Sequence, residues 1–306
     1  IPAHGTFGRV CSFLGPPEHQ KCFSSWVQAV HERVKGVVAI DGKTVRRSHD
    51  RRQGKQAIHV VSAWATQSGI ALAQKKVDAK SNEIGAIPEL LSLLRIKGCL
   101  VTIDAMGCQR EIAQAINGAG ADYLLAVKDN QPTLREDVEQ EFRLAQQNGF
   151  ALMDHQYFET VEKDHGRIEQ RKYWITQDVQ GLGTGEKWPN LAAMAMCRAM
   201  RTVNGQTSTE DRFFITSRKN ADAESIAAAI RAHWRVENSL HWVLDVAFNE
   251  DQSRVRAGHA AENLALIRKL ALNAIRASTS KKGGVKAKRL QAAWDCDYLR
   301  EILMAL

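Results

Sequence analysis

The chain has 306 residues, with 42 Lys and Arg against 34 Asp and Glu for a net charge of +8. That length suits about two domains, or one large domain carrying an insertion, and 44% apolar residues supply a sizeable core. No run of about 18 apolar residues occurs, which excludes a transmembrane helix.

The opening Ile1-Pro2-Ala3-His4-Gly5 carries no secretory pattern and no initiator Met, so the sequence is expected to start inside a longer product. Residues 1–35 read as loop plus one helix, capped by Ser24-Ser25 and running through Trp26, Val27, Val30 and Val34. Val37 to Ile40 is an apolar run of strand length ending on Asp41-Gly42. Ala57–Thr66 and Ala71–Val77 read as two strands of a hairpin, turned at Gln67-Ser68-Gly69. A helix follows over Asn82–Leu94. A buried strand, Leu100–Ile103, stops at Asp104; then come a helix through Ile112 and Ile116 and a strand at Tyr123–Val127.

The order β-β-β-α-β-α-β predicts a mixed sheet flanked by helices. Residues 132–215 break the rhythm. A polar helix at Leu134–Gln147 leads to strands at Tyr157–Val161, Ile168–Ile175, Ala193–Arg198 and Phe213–Thr216. Residues 221–245 and Ala260–Ala277 are helical, and a last helix is centred near Leu290.

Charge is concentrated. Arg254 to Arg289 holds ten basic residues and one acid, and Gly42 to Lys55 holds six against one, leaving the remainder net negative. Concentrated positive charge is the footprint of a polyanion partner, although a solvated basic surface has the same composition. The six cysteines are scattered with no C-x-x-C pair, which points to reduced thiols and against a thiolate zinc site.

Two apolar strands, 63 residues apart, each end in an aspartate, Asp41 and Asp104. Carboxylates at the carboxyl ends of neighbouring strands converge on the ligand crevice, where a hard cation such as Mg²⁺ or Mn²⁺ relieves their repulsion. Asp after a strand is also ordinary turn chemistry. A third acid, Glu237, shares a helix stripe with His233, Leu240, His241 and Leu244, a setting unlike that of a solvated charge. His233 and His241 lie about 12 Å apart along a helix, and no His-Glu-x-x-His occurs, which argues against zinc.

Five motifs taken together resemble the ISAs1-family transposases, which include the H-repeat-associated proteins, within the IS4-like DDE group. They are Asp41-Gly42-Lys43-Thr44-Val45-Arg46, Thr102-Ile103-Asp104-Ala105-Met106-Gly107, Tyr123 to Gln131, His165-Gly166-Arg167-Ile168-Glu169-Gln170-Arg171, and the His233–Asp251 helix. The resemblance implies an α/β, RNase H-like catalytic core with a β-rich insertion between the second Asp and the Glu. Boundaries follow at 1–35 (N-terminal helical segment), 36–131 (first part of the core), 132–215 (insertion) and 216–306 (Glu helix and basic C-terminal helices). The wider group's Tyr, Arg and Lys around the Glu are replaced here by Ile230, His233 and Leu244, so their roles do not transfer.

The resemblance assigns Asp41, Asp104 and Glu237 as catalytic residues and ligands of two Mg²⁺ or Mn²⁺ ions, for cleavage at insertion-sequence ends and strand transfer of the freed 3′-OH. Expected DNA contacts are Lys43, Arg46, Arg47, Lys128, Asn130, Arg167 and Arg171, with His233, His241 and Asp245 supporting the carboxylates. Trp234 and Trp242 could stack on a displaced base or belong to the core. The implied partner is double-stranded DNA, bound by a homodimer in the bacterial cytoplasm and nucleoid, with no membrane. Two alternatives remain: a catalytically inactive relic that binds DNA on the same fold, and a small-molecule hydrolase, which leaves the basic C-terminal stretch unexplained.

Overall fold

The computed structural model describes residues 3–30, 34–78, 82–164 and 166–304. Ile1, Pro2, residues 31–33 of the first expected helix and His165 of the fourth motif lie outside them. In chain order the elements are α1 (His4–Phe13), α2 (Pro16–Val30), β1 (Val37–Thr44), β2 (His59–Ala65), β3 (Ile70–Lys76), α3 (Glu83–Ser92), β4 (Leu100–Ile103), α4 (Arg110–Gly118) and β5 (Asp122–Val127). They continue with α5 (Pro132–Gln147), β6 (Gln156–Asp164), β7 (Arg167–Thr176), β8 (Ala193–Val203), β9 (Gln206–Thr216) and α6 (Ala223–Val236). A π-helical segment (Glu237–His241), α7 (Trp242–Phe248), α8 (Ala260–Ala277), α9 (Val285–Trp294) and α10 (Cys296–Met304) complete the chain. The expected succession β-β-β-α-β-α-β is present from β1 to β5.

The chain divides into two compact units, one made of residues 1–96 and 234–306 and the other of residues 97–233. In the first, β1, β2 and β3 form an antiparallel sheet in which Asp41 lies opposite Ser62, Lys43 opposite Val60 and Thr44 opposite His59. Helix α3 packs on β2 and β3, and α8 packs on β3. The edge strand β3 is closed by a side chain rather than by another strand. The Ala71 N–H donates to Asn273 Oδ1 at 2.9 Å, and Asn273 Nδ2 donates to the Ala71 carbonyl at 2.8 Å. A buried amide thus satisfies one residue's two backbone groups and locks α8 in register with the sheet.

The second unit holds a mixed sheet in the order β4-β5-β9-β8-β7-β6. Strands β4 and β5 are parallel and joined through α4, while every later pairing is antiparallel. Within this unit the end of β9 pairs directly with β5, Ala126 opposite Phe214.

The structure departs from the sequence expectation in four places. Helix α1 was not expected, and α2 starts at Pro16, a proline suited to a helix's first turn, rather than at Ser24. Strands β8 and β9 run five and seven residues beyond the expected Ala193–Arg198 and Phe213–Thr216, as a polar two-stranded ribbon closed by Asn204-Gly205. Both turn residues have positive φ (50° and 79°), as a two-residue hairpin requires. The stretch over 221–245 is interrupted by the π segment instead of running as one helix. A tenth helix follows the one near Leu290.

Candidate active site

Side chains alternate across a strand, so Asp41 and Lys43 share one face of β1 while Gly42 and Thr44 share the other. Val38, Ala39 and Ile40 are fully buried, and they anchor the strand up to the point where Asp41 emerges. Asp41 Oδ1 accepts the Gly42 N–H at 2.9 Å, and its Oδ2 lies 3.5 Å from His241 Nδ1. Lys43 is 13% exposed, and its ammonium meets Asp245, Glu250 (3.1 Å) and Asp251 (3.8 Å). The expectation of a solvent-facing phosphate contact at Lys43 therefore meets a different arrangement. Its charge is already matched inside the protein.

On the opposite face, His59 bridges Thr44 and Glu83, with Nδ1 2.8 Å from Thr44 Oγ1 and Nε2 against the Glu83 carboxyl. A methyl group added at Gly42 would overlap both the Glu83 carboxyl and the His59 ring. The glycine of the Asp-Gly-Lys motif is thus set by close packing from α3. Only the ends of two side chains stand in the way, so Gly42→Ala should cost about 1 kcal/mol, read as a lower urea midpoint. An unchanged midpoint would show that Glu83 does not pack there.

Glu237 opens the π segment, and its carbonyl accepts the Trp242 N–H, the i to i+5 bond that defines such a turn. Val236, Leu240 and Leu244 are buried and hold the segment in place, but Glu237 itself is exposed. This corrects the expectation of an acid withdrawn from solvent. Trp234 and Trp242 are 44% and 60% exposed, so neither belongs to the core. His241 is mostly buried. Burial first, then the charges of Lys269, Lys43 and His59, push its pKa down to about 3, so the ring is neutral beside Asp41. Its Nε2 has no hydrogen-bond partner among the described residues.

In the second unit, Asp104 ends the buried strand β4 and caps a 3-10 turn, accepting the Met106 N–H at 3.2 Å. The loop after β5 supports that turn. Asn130 Nδ2 donates to the Ala105 carbonyl at 2.6 Å, and Gln131 Nε2 donates to the Cys108 carbonyl at 2.9 Å. Asn130 thus braces the residue after Asp104, whereas Lys128 is exposed. His233 Nδ1 lies 3.1 Å from Thr102 Oγ1, and burial pushes its pKa down to about 4. Between pH 6.5 and 4 the unfolded ring takes up a proton that the folded ring refuses. The contribution of this ring is therefore complete above pH 6.5 and falls on acidification, by about 3 kcal/mol once pH passes 4. His233→Gln should flatten that part of the urea-unfolding pH profile. A profile that stays as steep as wild type would remove His233 as its source.

The remaining expected DNA contacts differ in availability. Arg46 and Arg47 are exposed in a 3-10 turn just after β1, with Arg46 3.2 Å from Asp251. Arg167 is exposed and pairs with Glu169 at 3.3 Å, whereas Arg171 is largely covered between Glu162 and Glu169. The basic C-terminal stretch is not all surface. Lys269 is buried, with its pKa pushed down to about 8, and donates to Gln74 Oε1 at 2.8 Å. Arg276 lies 4.7 Å over the Trp64 ring and donates to the carbonyls of Gly69 and Ser239.

Asp41, Asp104 and Glu237 offer only carboxylate oxygens, the donor chemistry that suits a hard divalent cation. Among the described residues, no three His, Cys, Asp or Glu side chains are already gathered to hold a metal ion. Sequence reasoning missed His59, Glu83, Glu250 and Lys269. Glu83 stands at the start of an expected helix, Glu250 inside the fifth motif and Lys269 inside the basic stretch, but nothing in the sequence gave any of them a partner.

Residues 32–274 match the Transposase DDE domain family, a span that contains Asp41, Asp104 and Glu237. The chain belongs to the DDE transposase family. It is 45% identical over 99% of its length to "Putative transposase YncI" of Escherichia coli O157:H7, covering 78% of that protein. It is 41% identical to "H repeat-associated putative transposase YhhI" of Escherichia coli strain K12, over 99% of this chain and 81% of that one. These relatives agree with the H-repeat, IS4-like type read from the five motifs. A piggyBac transposase synaptic complex with hairpin DNA aligns with 95% of this transposase and 58% of that chain. The TM-score is 0.46 at 8% identity, too distant for any residue correspondence. Among the described residues of the transposase, no helix is long and apolar enough to cross a membrane.

Proposed function

We propose that this DDE transposase cleaves DNA at insertion-sequence ends and transfers the freed 3′-OH into target DNA, with Asp41, Asp104 and Glu237 as its catalytic carboxylates. One observation carries the reading. The His241 ring, at the end of the π segment that Glu237 opens, lies 3.5 Å from Asp41, so the elements bearing two of the three acids are docked on each other. π turns recur at functional sites because they expose backbone and re-aim side chains.

Magnesium or manganese, as two ions held by Asp41, Asp104 and Glu237, would supply the charge neutralisation that an in-line displacement at phosphorus needs. The chain's own residues do the rest. The neutral His241 ring packs against Asp41 without competing as a cation, and Asn130 steadies the turn after Asp104. Arg46, Arg47, Lys128 and Arg167 bind the phosphate backbone; Trp234 and Trp242 offer exposed rings to an unpaired base. Joining two ends suits a homodimer on DNA, working in the bacterial cytoplasm.

The test is nicking of end-containing duplex DNA by the full chain. Mg²⁺- or Mn²⁺-dependent nicking at the end is expected, abolished by chelation. Tight, salt-sensitive DNA binding with no nicking in either metal would make the protein a DNA-binding relic instead.

A further inference from the structure

We infer that Lys43, with Asp245 and His241, sets the register of the Glu237-bearing segment against β1. Lys43 is then a positioning residue rather than a DNA contact. The inference rests on the proposed roles of Asp41 and Glu237.

Two residues along a strand advance about 6.6 Å, and four along a helix advance about 6 Å. The steps match. Asp41 and Lys43 on β1 therefore meet His241 and Asp245, four residues apart, as two rungs between a strand and a helix. Glu237 stands one further four-residue step back along the same stripe. In an unbroken α-helix that stripe would drift by about 40° per step, and the wider π turn offsets the drift between Glu237 and His241.

Apolar packing alone would not fix this register. Val236, Leu240 and Leu244 repeat at helical spacing, and hydrophobic contact is non-directional, so the same face would accept a slip of one turn. An ion pair would not. A slip of one turn keeps the apolar face but shifts the helix by about 5.4 Å along β1, which carries Asp245 out of reach of Lys43 and His241 away from Asp41.

Lys43 is poorly available to DNA for the same reason. An ammonium has three N–H donors, and three carboxylates surround this one. Glu250, one of them, is 1% exposed and also lies 3.8 Å from Arg268. Turning Lys43 toward a phosphate would strip that buried carboxylate of its nearest cation, a loss that one exposed phosphate contact does not offset.

The experiment compares full-length Lys43→Met, Lys43→Arg, Asp245→Asn and the Lys43→Met/Asp245→Asn pair with wild type. DNA affinity is measured without metal from about 50 to 200 mM salt, where each phosphate contact contributes a slope near one. Single-turnover nicking is then measured at saturating DNA, and urea unfolding is measured in chelator. Lys43→Met should keep the wild-type salt slope and lose nicking by about tenfold or more, as a misaligned ligand set does. Lys43→Arg, which keeps the charge, should recover part of that rate. The paired substitution should shift the urea midpoint by less than the sum of the two single shifts.

A salt slope lower by about one, with nicking unchanged at saturating DNA, would make Lys43 a phosphate contact and overturn the inference. Additive midpoint shifts would overturn it as well. If wild type itself does not nick, the proposed function fails, and the salt slope and midpoint coupling still decide the register claim.

Discussion

Asp41→Ala, Asp104→Ala and Glu237→Ala should each lower single-turnover nicking of end-containing DNA on the order of a thousandfold or more. The size follows from what the carboxylates are proposed to do. Charge neutralisation at a transferring phosphoryl group contributes several kcal/mol, and about 1.4 kcal/mol is tenfold in rate. Substrate binding should survive. DNA affinity comes from cations on phosphates, so deleting an acid beside the backbone leaves binding unchanged or tightens it. Glu237 is the sharpest of the three cases. It is exposed, so its removal disturbs the packed interior least, and a lost rate there with an unchanged urea midpoint reads chemistry and not folding. A fully active Asp104→Ala protein would dismantle the proposed mechanism.

Glu250→Gln should destabilise the protein by about 3–5 kcal/mol, the largest stability effect expected outside the apolar core. The carboxylate is 1% exposed, with Lys43 at 3.1 Å and Arg268 at 3.8 Å. Its attraction also opposes the burial that pushes Lys269 down toward a pKa of 8. An amide of the same shape keeps the packing and removes the charge. Lys269 is then buried without the anion that offsets its desolvation, Arg268 keeps only the more diffuse field of Asp245, and Lys43 keeps Asp245 and Asp251. Urea unfolding near neutral pH measures the loss. A change below 1 kcal/mol would mean that the cluster is solvated and not a buried charge network.

Both expectations involve residues that the sequence treats unequally. Asp41, Asp104 and Glu237 stand out because each closes or occupies an element with clear local periodicity. Val37 to Ile40 and Leu100 to Ile103 are short apolar runs that can only be buried strands, and each ends in an acid. Glu250 has no such marker. It sits in a polar run, Asn249-Glu250-Asp251-Gln252, with no apolar periodicity to mark it as buried, and the approach of β1 and α8 covers it.

The sequence by itself determined the strands from β1 to β5, the β2–β3 hairpin and the family, because alternation, turn residues and motif spacing are local and survive without coordinates. Formal charge was equally plain, but its use was not. Lys43, Lys269 and Arg276 count the same as Arg46 in a tally. Tertiary structure turned the first three inward against carboxylates, an amide and an indole, and left the last in water. It also brought the Glu83 carboxyl and the His59 ring against Gly42 and left Trp234 and Trp242 exposed. A side chain's electrostatic work depends on what the fold brings within a few ångströms of it, and that is set by contacts between residues far apart in the chain.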